Sequence, residues 1–435
     1  MRAYLRTFGC TFNKFDSELI KYALEKNGFK LVKSPEEADV IIVNTCGVKK
    51  QTEDRIISYL KKVEKFGKRL IITGCLPLIN LKRLEKEIKF FAVTGPAIGE
   101  KIIDLINGKA PSNNLLRNDF FPSLSNRKYG EGIIHITPLC HGCLGNCSYC
   151  AVKFARGRLR SYPQDDIIRD IECAVRNGAK EIWITAQDTG SYGLDIGTDL
   201  ISLLKKVDRI NGEFFVRIGM MNPSRLPYIV DDLIVLFKES NKFFYFLHLP
   251  VQSGSPRVLR LMRRNYDPGQ LLEYVKRIRK EVDEKFNIMT DVIVGHPGET
   301  ERDFLQTIEL IKELRPDVVN ISKFFPRPYT EASKMPQLPS QVIKRRSVEL
   351  TKLCNQISKK RNEKWIKWTG KVLIDEKGKN GTLIARNYAY KPVIIKKKLK
   401  LGTIVSVEIE EAHPYWLKAH LLNNPSNGFR YFPNP

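Results

Sequence analysis

The 435-residue sequence predicts an α/β protein built in three parts. Residues 1–110 alternate short apolar runs with amphipathic helical segments, which is typical of a small parallel sheet with helices on both faces. Residues 131–367 continue this alternation through six further units, which predicts a partial (β/α)6 barrel rather than a closed eight-stranded one. Residues 368–435 change to short β-rich runs separated by Gly, Asn and Pro, which predict a small β-barrel with a tail.

The first part has four predicted strands and four predicted helices. The strands are expected at 4–8, 40–43, 70–73 and 90–94, and the helices at 15–26, 52–66, 81–87 and 98–107. Residues 111–130, rich in Ser, Asn and Pro and without a periodic pattern, predict a linker to the second part.

A cysteine follows each of the first three parallel strands. Cys10, Cys46 and Cys75 lie beside glycines at these strand ends, and ligands of an open α/β sheet bind outside the carboxyl ends of its strands. The three thiols are therefore expected to converge into a three-thiolate site with one ligand position open. The alternative is three unrelated buried cysteines, since free Cys is often a core residue.

Three more cysteines share one short loop after the first predicted barrel strand. Cys143, Cys147 and Cys150 can hold three irons of a [4Fe–4S] cluster and leave the fourth iron open to a reacting ligand. Together with the aromatic Tyr149, this spacing resembles the radical S-adenosylmethionine (SAM) superfamily, where SAM chelates the open iron. Cys140 allows a tetrahedral zinc site instead, but only three residues separate the two Cys-x-x-Cys pairs, where zinc ribbons insert a dozen or more.

Polar residues follow the predicted barrel strands, at the mouth where such barrels bind ligands. The strands are expected at 133–137, 181–185, 214–218, 244–249, 288–294 and 318–324, and helices at 165–177, 226–239, 268–286 and 299–314. The candidates for a SAM pocket are Gln187, Asp188, Arg217, Gln252 and Ser253. For each of them alone, helix capping or turn formation explains the residue equally well.

Charge and cysteine content narrow the class of protein. The net charge of +25 favours a polyanionic partner, most simply nucleic acid, and the alternative is a generally Lys-rich, thermophilic surface. No signal peptide or membrane-spanning run is recognisable, so we expect a cytoplasmic protein with reduced thiols and no membrane partner. Nine cysteines without regular pairing then indicate metal binding or catalysis rather than disulfides.

The third part carries the candidate RNA-binding residues. Its strands are expected at 371–375, 381–385, 391–395, 403–409 and 416–421. Small barrels with basic and aromatic surfaces often bind RNA through backbone charge and base stacking. The candidates are Arg386, Tyr390, Lys391, Lys396, Lys397 and Lys398. A basic helix before this part, 340–367, is interpreted as a solvated face in preference to a phosphate-binding one.

The order of these three parts resembles the radical SAM methylthiotransferase family over nearly the whole chain. The motifs that carry the resemblance lie at 9–13 with 16–18, 44–46, 73–75, 142–150, 155–157, 161–162, 250–255 and 295–300. The family has MiaB-like, RimO-like and MtaB-like branches, which act on isopentenyladenosine in tRNA, an aspartate of a ribosomal protein, and threonylcarbamoyladenosine in tRNA. Residues 155–159, 324–329 and 334–339 are most similar to the MtaB-like branch, although Tyr329 stands where Gly is expected and His296 where Phe is expected.

The resemblance implies two [4Fe–4S] clusters, SAM and a tRNA substrate. Cys143, Cys147 and Cys150 would hold the cluster that cleaves SAM, and the resulting radical would abstract hydrogen from carbon 2 of the modified adenine next to the anticodon. The cluster at Cys10, Cys46 and Cys75 would donate the methylthio group. The C-terminal barrel looks like a TRAM domain, which contacts tRNA in this family. A ferredoxin- or flavodoxin-type electron donor and a sulfur donor are also implied.

Two other classes of function remain open from the sequence. One is a radical SAM enzyme without sulfur insertion, such as an RNA methylase. The other is a non-catalytic, zinc-containing RNA-binding protein, which would leave Cys10, Cys46 and Cys75 without a role.

Overall fold

The computed structural model describes residues 1–110, 113–114, 120–422 and 431–433. Its N-terminal part is a fully parallel six-stranded sheet with the order β2-β1-β3-β4-β5-β6. The strands are β1 (Arg2–Thr7), β2 (Lys30–Leu31), β3 (Val40–Thr45), β4 (Arg69–Gly74), β5 (Ala92–Thr94) and β6 (Asn113–Asn114). The helices are α1 (Thr11–Lys26), α2 (Lys50–Glu64), α3 (Cys75–Glu87) and α4 (Ile102–Ile106).

The strand β3 is buried on both faces of this sheet. Ile41 and Val43 pack with the apolar residues of α2 and α3. Val40 and Ile42 point the other way and pack with α1 and α4. Period-2 alternation within an all-apolar run explains why the sequence predicts a parallel strand covered on both sides, and the structure confirms it.

Helix α3 begins at Cys75, earlier than the predicted start at 81. The preceding Gly74 has φ +98°, and a Cβ at this position would lie 2.2 Å from the carbonyl oxygen of Thr45. Only glycine lets the strand turn directly into the helix at such close approach. A kink at Asn80, with φ −149° and ψ 57°, then divides α3, which explains why only its second half shows a helical pattern in the sequence.

The central part is an open barrel of six parallel strands. Its strands, with a short antiparallel ladder β8–β9, are β7 (Ile134–Pro138), β8 (Cys140–His141), β9 (Arg160–Ser161), β10 (Glu181–Thr185), β11 (Phe215–Ile218), β12 (Phe246–His248), β13 (Asn287–Val294) and β14 (Val318–Lys323). Its helices are α5 (Val152–Arg156), α6 (Gln164–Arg176), α7 (Leu200–Asp208), α8 (Val230–Glu239), α9 (Pro256–Leu261), α10 (Pro268–Glu281), α11 (Glu301–Leu314) and α12 (Ser340–Glu363).

The barrel consists of two three-stranded sheets, β11-β10-β7 and β12-β13-β14. Single parallel bridges, Val216 to Phe243 and Met220 to His248, join them. The two open edges are covered by neighbours in the fold: α1 packs on β7 and α12 packs on β14. The predicted partial (β/α)6 barrel is therefore confirmed. None of the described helices combines the length and apolarity needed to cross a membrane.

Residues 120–130 pack onto the barrel, although their composition predicts a linker. Phe121 stacks on Tyr162 with ring centroids 4.2 Å apart. The Arg127 guanidinium is fully buried and pairs with Asp170 at 2.6 Å. Arg127 has no acidic partner nearby in the sequence, so it is expected to be exposed in a linker. Its partner Asp170 lies 43 residues away and comes close only in the folded protein.

The C-terminal part is a closed five-stranded barrel with the order β15-β16-β17-β19-β18, as predicted. Its strands are β15 (Thr369–Lys377), β16 (Leu383–Arg386), β17 (Pro392–Ile395), β18 (Ile404–Ala412) and β19 (Leu417–Leu421). It contacts the central barrel at the amino ends of the strands: the carbonyl oxygens of Tyr388 and Ala389 accept hydrogen bonds from Tyr245 N and Asn287 Nδ2, each at 2.8 Å. The tail residue Tyr431 stacks on Phe215 at 3.9 Å.

Candidate functional site

The loop that carries Cys143, Cys147 and Cys150 lies at the carboxyl end of the barrel strands. Gly142 has φ +73°, and a Cβ there would lie 1.9 Å from the carbonyl oxygen of Arg158. Only glycine therefore lets the cysteine loop lie this close to the backbone that precedes β9. The amide of Gly145 donates to Cys143 Sγ at 3.2 Å, a hydrogen bond that favours the thiolate.

Two distant segments hold this loop in place. Ser148 donates through its amide to Met262 O at 3.1 Å and through Oγ to Leu261 O at 2.7 Å. The amide of Ala332 donates to Ser148 O at 3.0 Å. The cysteine loop is therefore bonded both to the end of α9 and to the chain that follows β14.

Tyr149 packs edge-to-face against His296, with ring centroids 6.4 Å apart, and His296 packs against Phe324 at 5.4 Å. Burial lowers the pKa of His296 to about 4, so the imidazole is neutral at ordinary pH. This residue therefore fills an aromatic position by ring packing, which explains how histidine is accommodated where the family resemblance leads us to expect Phe.

The three N-terminal cysteines meet at the carboxyl edge of the first sheet. Cys10 precedes α1 as its N-cap residue, and Cys75 is the first residue of α3. A Cβ on Gly9 would lie 2.9 Å from Cys46 Cβ, so the Cys10 and Cys46 turns touch. Burial raises the pKa of Cys75 to about 12, and the nearby charges of Cys46 and Cys10 add to that rise.

Both cysteine sets fit an open [4Fe–4S] cluster. Across the described chain, no three His, Cys, Asp or Glu side chains are arranged to hold a single ion, but each thiolate of a cluster binds a different iron. Backbone donors that favour thiolate lie at the sulfur atoms: Val152 and Lys153 act on Cys150, and Val48 acts on Cys46, opposing the pKa rise that burial causes in both. Cys140 is fully buried in the apolar core, and it forms no four-thiol zinc arrangement with the other described cysteines.

Arg156 joins the two cysteine sites. It ends α5, the helix that starts two residues after Cys150, and its guanidinium reaches into the N-terminal part. There Arg156 Nη2 pairs with Asp16 Oδ2 at 2.5 Å and donates to Asn13 Oδ1 at 2.9 Å, all three side chains being buried. Arg156 Nη1 and Asp16 Oδ1 have no hydrogen-bond partner among the described residues.

An apolar contact reinforces this connection. Ala151, the residue before α5, and Ala155, within α5, form one small buried cluster with Cys75, Leu78 and Ile79 at the start of α3. The chain just after one cysteine set therefore packs directly on the helix that carries a cysteine of the other. We call this contact, with Arg156–Asp16, the carboxyl-end junction.

The barrel interior carries polar side chains that suit a polar ligand. Three buried atoms there lack a partner among the described residues, namely Gln187 Oε1, Gln252 Oε1 and Arg217 Nε. Buried polar atoms are almost always hydrogen-bonded, so these three atoms are available to a ligand or a water molecule. Gln252 also has φ +64°, a strained conformation for a non-glycine residue.

Two of the predicted pocket residues are used by the fold itself. The Asp188 carboxylate accepts hydrogen bonds from Gly190 N at 3.2 Å, Asn222 N at 2.9 Å and Ser191 Oγ at 2.6 Å, so it organises the turn after β10. Ser253 is fully buried and accepts from Ser255 N at 3.1 Å. Turn formation, the alternative that the sequence also allows, accounts for both residues.

A further polar group lies in the barrel interior, on β12, β13 and β14. His248 Nε2 lies 2.9 Å from Asp291 Oδ2, and Asn320 Nδ2 donates to Asp291 Oδ1 at 2.7 Å. Burial tends to raise the pKa of Asp291, but the bonds to His248 and Asn320 outweigh it and lower the pKa. A carboxylate oriented from both sides is available to a substrate in the barrel.

Two arginines beside the cysteines were not predicted as site residues from the sequence. Arg156 appears there only as part of a family motif, and Arg264 lies beside Cys147 and Tyr149 while donating through Nη2 to Pro250 O at 2.6 Å. No local signal identifies either, because their partners lie far away in the chain.

The predicted RNA surface of the C-terminal barrel divides into two groups. Lys396, Lys397 and Lys398 are exposed in the loop after β17, as expected for an RNA-binding loop. Tyr390 and Lys391 are buried against the central barrel instead, and the Arg386 side chain is only 13% exposed, which corrects the expectation that these residues form an exposed surface.

The second group belongs to what we call the amino-end junction. One of its ion-pair clusters is centred on Asp317, just before β14, and the other on Asp375 in β15. Lys391 Nζ pairs with Asp317 Oδ1 at 2.7 Å, and Arg361 Nε pairs with the same atom at 3.1 Å. Arg386 Nε pairs with Asp375 Oδ2 at 2.7 Å, and its guanidinium lies 4.7 Å from the ring centroid of Tyr390. These cations and this ring have protein partners, so they are not free for RNA.

Each part of the chain matches a known family. Residues 2–95 match Uncharacterized protein family UPF0004, residues 137–311 the Radical SAM superfamily, and residues 369–422 the TRAM domain. Among solved structures, the radical SAM methyltransferase TsrM from Kitasatospora setae is similar with a TM-score of 0.56 and 16% identity, covering 76% of this chain and 77% of that one. This likeness concerns the fold alone.

Curated relatives extend over nearly the whole chain. A probable threonylcarbamoyladenosine tRNA methylthiotransferase of Pyrococcus horikoshii is 40% identical over 433 residues, covering 97% of this chain and 100% of the relative. The threonylcarbamoyladenosine tRNA methylthiotransferase of Homo sapiens is 33% identical, covering 96% of this chain and 73% of the relative.

With two cysteine sites at one end of an open barrel, the protein is a radical SAM enzyme that carries a TRAM domain. Within that class, the chain belongs to the family of threonylcarbamoyladenosine tRNA methylthiotransferases.

Proposed function

We propose that this enzyme adds a methylthio group to carbon 2 of N6-threonylcarbamoyladenosine next to the anticodon of tRNA. The observation that carries the proposal is the carboxyl-end junction. It packs the two cysteine sites together through Arg156–Asp16 and the apolar cluster at Cys75, so both face the same end of the barrel. The names of the relatives support the choice of nucleoside.

The chain offers a separate role for each cysteine set. Cys143, Cys147 and Cys150 would hold a [4Fe–4S] cluster at the barrel mouth, with Tyr149 beside the open iron, and Cys10, Cys46 and Cys75 would hold a second cluster. When bound, the first cluster and SAM supply a carbon radical that removes a hydrogen atom, and the second cluster supplies sulfur. Gln187, Gln252 and Arg217 provide unsatisfied polar atoms for SAM or the nucleoside.

The remaining residues of the site position these groups. Ser148 fixes the radical loop to α9 and to the segment after β14. Arg156 fixes the distance between the cysteine sites from within the protein, where no water competes for its hydrogen bonds. Because radical and sulfur must both reach one carbon atom, a fixed separation between the sites is the main structural requirement.

The test is an oxygen-free reaction with SAM, reductant and tRNA that carries either threonylcarbamoyladenosine or isopentenyladenosine, followed by nucleoside mass analysis. Methylthio gain on the threonylcarbamoyl form alone is expected. Gain on the isopentenyl form would move the enzyme to the MiaB-like branch, and a methyl gain without sulfur would indicate an RNA methylase.

Cysteine variants test whether the two cysteine sets have separate roles. Cys147→Ala is expected to abolish SAM cleavage, whereas Cys46→Ala retains SAM cleavage and forms no methylthio product. Full methylthio product from Cys46→Ala would refute the second-cluster role. We further propose a low-potential electron donor of the ferredoxin or flavodoxin type, a separate sulfur donor and a cytoplasmic location.

A further inference from the structure

The chain that follows β14 lies at the barrel mouth beside the radical loop. The amide of Phe324 donates to Val294 O at 2.8 Å, which places this segment at the carboxyl end of β13. Eight residues later, Ala332 N donates to Ser148 O at 3.0 Å, next to Cys147. The segment between these two bonds therefore borders the site where the target base must enter.

A buried ion pair fixes this segment to the N-terminal part. Arg327 pairs with Glu53 on α2, and both side chains are nearly inaccessible to solvent. Glu53 also accepts from Arg83 Nη1 and Asn80 Nδ2, each at 2.8 Å. The hydroxyl of Thr330 closes the turn by donating to Arg327 O at 2.8 Å. These bonds fix the backbone between Phe324 and Ala332, so the exposed side chains of this segment have a defined position.

Two aromatic rings are exposed on either side of Arg327. Phe325 is 40% exposed and Tyr329 is 60% exposed. Tyr329 also has φ +64°, a left-handed conformation that is unfavourable for a residue other than glycine. Its edge contact with Phe154, at 6.1 Å, leaves most of the ring in solvent, so packing does not account for a strained tyrosine at this position.

Cations adjoin these rings. Lys50 Nζ lies 4.3 Å from the centroid of the Phe325 ring, and Lys49 lies beside it in the turn that follows Cys46. Neither lysine forms an ion pair with a carboxylate of the described chain. The Lys49 charge is close enough to contribute, after His248 and Asn320, to the lowered pKa of Asp291 inside the barrel. The positive patch therefore reaches the rim of the interior.

Flat exposed rings next to unpaired lysines form the combination that single-stranded nucleic acid binds through stacking and phosphate contacts. We propose that Lys49, Lys50, Phe325 and Tyr329, the mouth surface, bind the unpaired RNA nucleotides on either side of the base that enters the barrel. This inference rests on the proposed function and extends it, because the predicted RNA contacts lie on the C-terminal barrel at the opposite end of the strands.

The first test measures binding of an anticodon stem–loop RNA to full-length protein as a function of salt. Phe325→Ala and Tyr329→Ala are each expected to weaken binding about 5-fold or more with an unchanged salt slope, since one stacked base contributes about 1–3 kcal/mol. Lys49→Ala with Lys50→Ala should reduce the slope by about 0.7 for each phosphate that is no longer neutralised. Phe91→Ala, which removes a ring that is 40% exposed at the amino edge of the first sheet, just before β5, is the matched control and should leave binding unchanged.

A second test identifies stacking directly. Removing both bases that flank the target adenosine should weaken binding to the wild-type protein, but should add no further loss in the double variant Phe325→Ala/Tyr329→Ala. Additive losses, or unchanged RNA affinity in variants with a wild-type unfolding midpoint, would overturn the proposal. A variant that binds RNA normally and cleaves SAM with a chemical reductant, but loses the cleavage driven by a ferredoxin or flavodoxin, would overturn the proposal and assign the surface to that protein donor. Failure of the proposed function is separate, because it concerns the product and not the RNA affinity.

Discussion

The central barrel meets one neighbour at each end, and arginine, lysine and aromatic residues lie at or beside both junctions. At the amino end, Lys391 and Arg361 surround Asp317, and Arg386 lies over Tyr390. All of these side chains are buried except that of Arg386, which is 13% exposed. At the carboxyl end, Arg156–Asp16 and Arg327–Glu53 are buried in the same way, but Lys50, Phe325 and Tyr329 remain exposed between them.

The difference shows that the same residue types attach the TRAM barrel at one end and leave the mouth of the central barrel accessible at the other. The amino-end junction covers its aromatic rings completely, so it attaches the TRAM barrel in a fixed orientation. The carboxyl-end junction confines its ion pairs to the interior and leaves rings and lysines free around the mouth. We therefore expect substitutions at the amino end to affect stability and those at the carboxyl end to affect chemistry.

The largest effect is expected at Asp317. Asp317→Asn leaves Lys391, Arg361 and Arg279 buried without a carboxylate, which should destabilise the protein by about 3–5 kcal/mol. The pKa of Asp317 is well below its usual range: burial opposes this, but the charges of Lys391 and Arg361 lower it. The stabilisation is therefore present above the ordinary pKa of an aspartate and is lost in acid.

Chemical unfolding of the full chain at neutral pH measures this effect. Glu309→Gln, which breaks the exposed pair with Lys312, is the control and should change stability by less than about 1 kcal/mol. If both variants unfold at the same denaturant concentration, the amino-end junction does not stabilise the protein as described.

Arg156→Gln should act on chemistry instead. It removes the side chain that joins the cysteine sites, and a misplacement of about 1 Å between reacting groups can reduce rate about 100-fold. The informative ratio is methylthio product formed per SAM cleaved, which a purely structural role would not change. Arg158→Gln, an exposed arginine two residues away, should retain the wild-type ratio. Arg156→Lys should restore part of it, and an unchanged ratio in Arg156→Gln would remove this residue from the coupling of the two sites.

A comparison of lysines within the C-terminal barrel sharpens the distinction between buried and exposed cations. Replacing Lys396, Lys397 and Lys398 by alanine should weaken tRNA binding and reduce the salt slope by up to about 0.7 per lysine, without changing stability. Lys391→Met should lower stability and leave the salt slope unchanged, because the Lys391 ammonium is bonded to Asp317 and Asn362. Reversal of these two results would mean that the buried and exposed groups have been assigned incorrectly.

The smallest effect is a pH dependence at the amino-end junction. Burial, together with the charge of Asp375, raises the pKa of Glu181 to about 7, against the opposing charge of Arg386. The folded state then binds more protons than the unfolded state, so stability should fall as pH rises from about 4.5 to about 7. Glu181→Gln should flatten this dependence, measured as unfolding midpoints across that range. An equally steep dependence in the variant would place the titrating group elsewhere.

Much of the fold and part of the site could be predicted because their signals are local. Strand β10 and helix α1 follow from apolar periodicity within a few residues, and Cys143, Cys147 and Cys150 are identified by spacing alone. The convergence of Cys10, Cys46 and Cys75 could be inferred because parallel strands end at one edge of a sheet. Asp188 and Ser253 show the limit of this reasoning, since a polar residue at a strand end serves the turn as readily as a ligand.

The sequence by itself determined the order of the three parts, the two cysteine sets and the kind of chemistry that they imply, because spacing and periodicity act over short stretches of chain. The tertiary structure alone decided which basic and aromatic residues are exposed. Lys391 is buried and pairs with Asp317, 74 residues away in the chain, and Arg327 is buried and pairs with Glu53, 274 residues away. Phe325, two residues before Arg327, remains exposed. Burial depends on how whole parts pack against one another, and no short stretch of sequence contains that information.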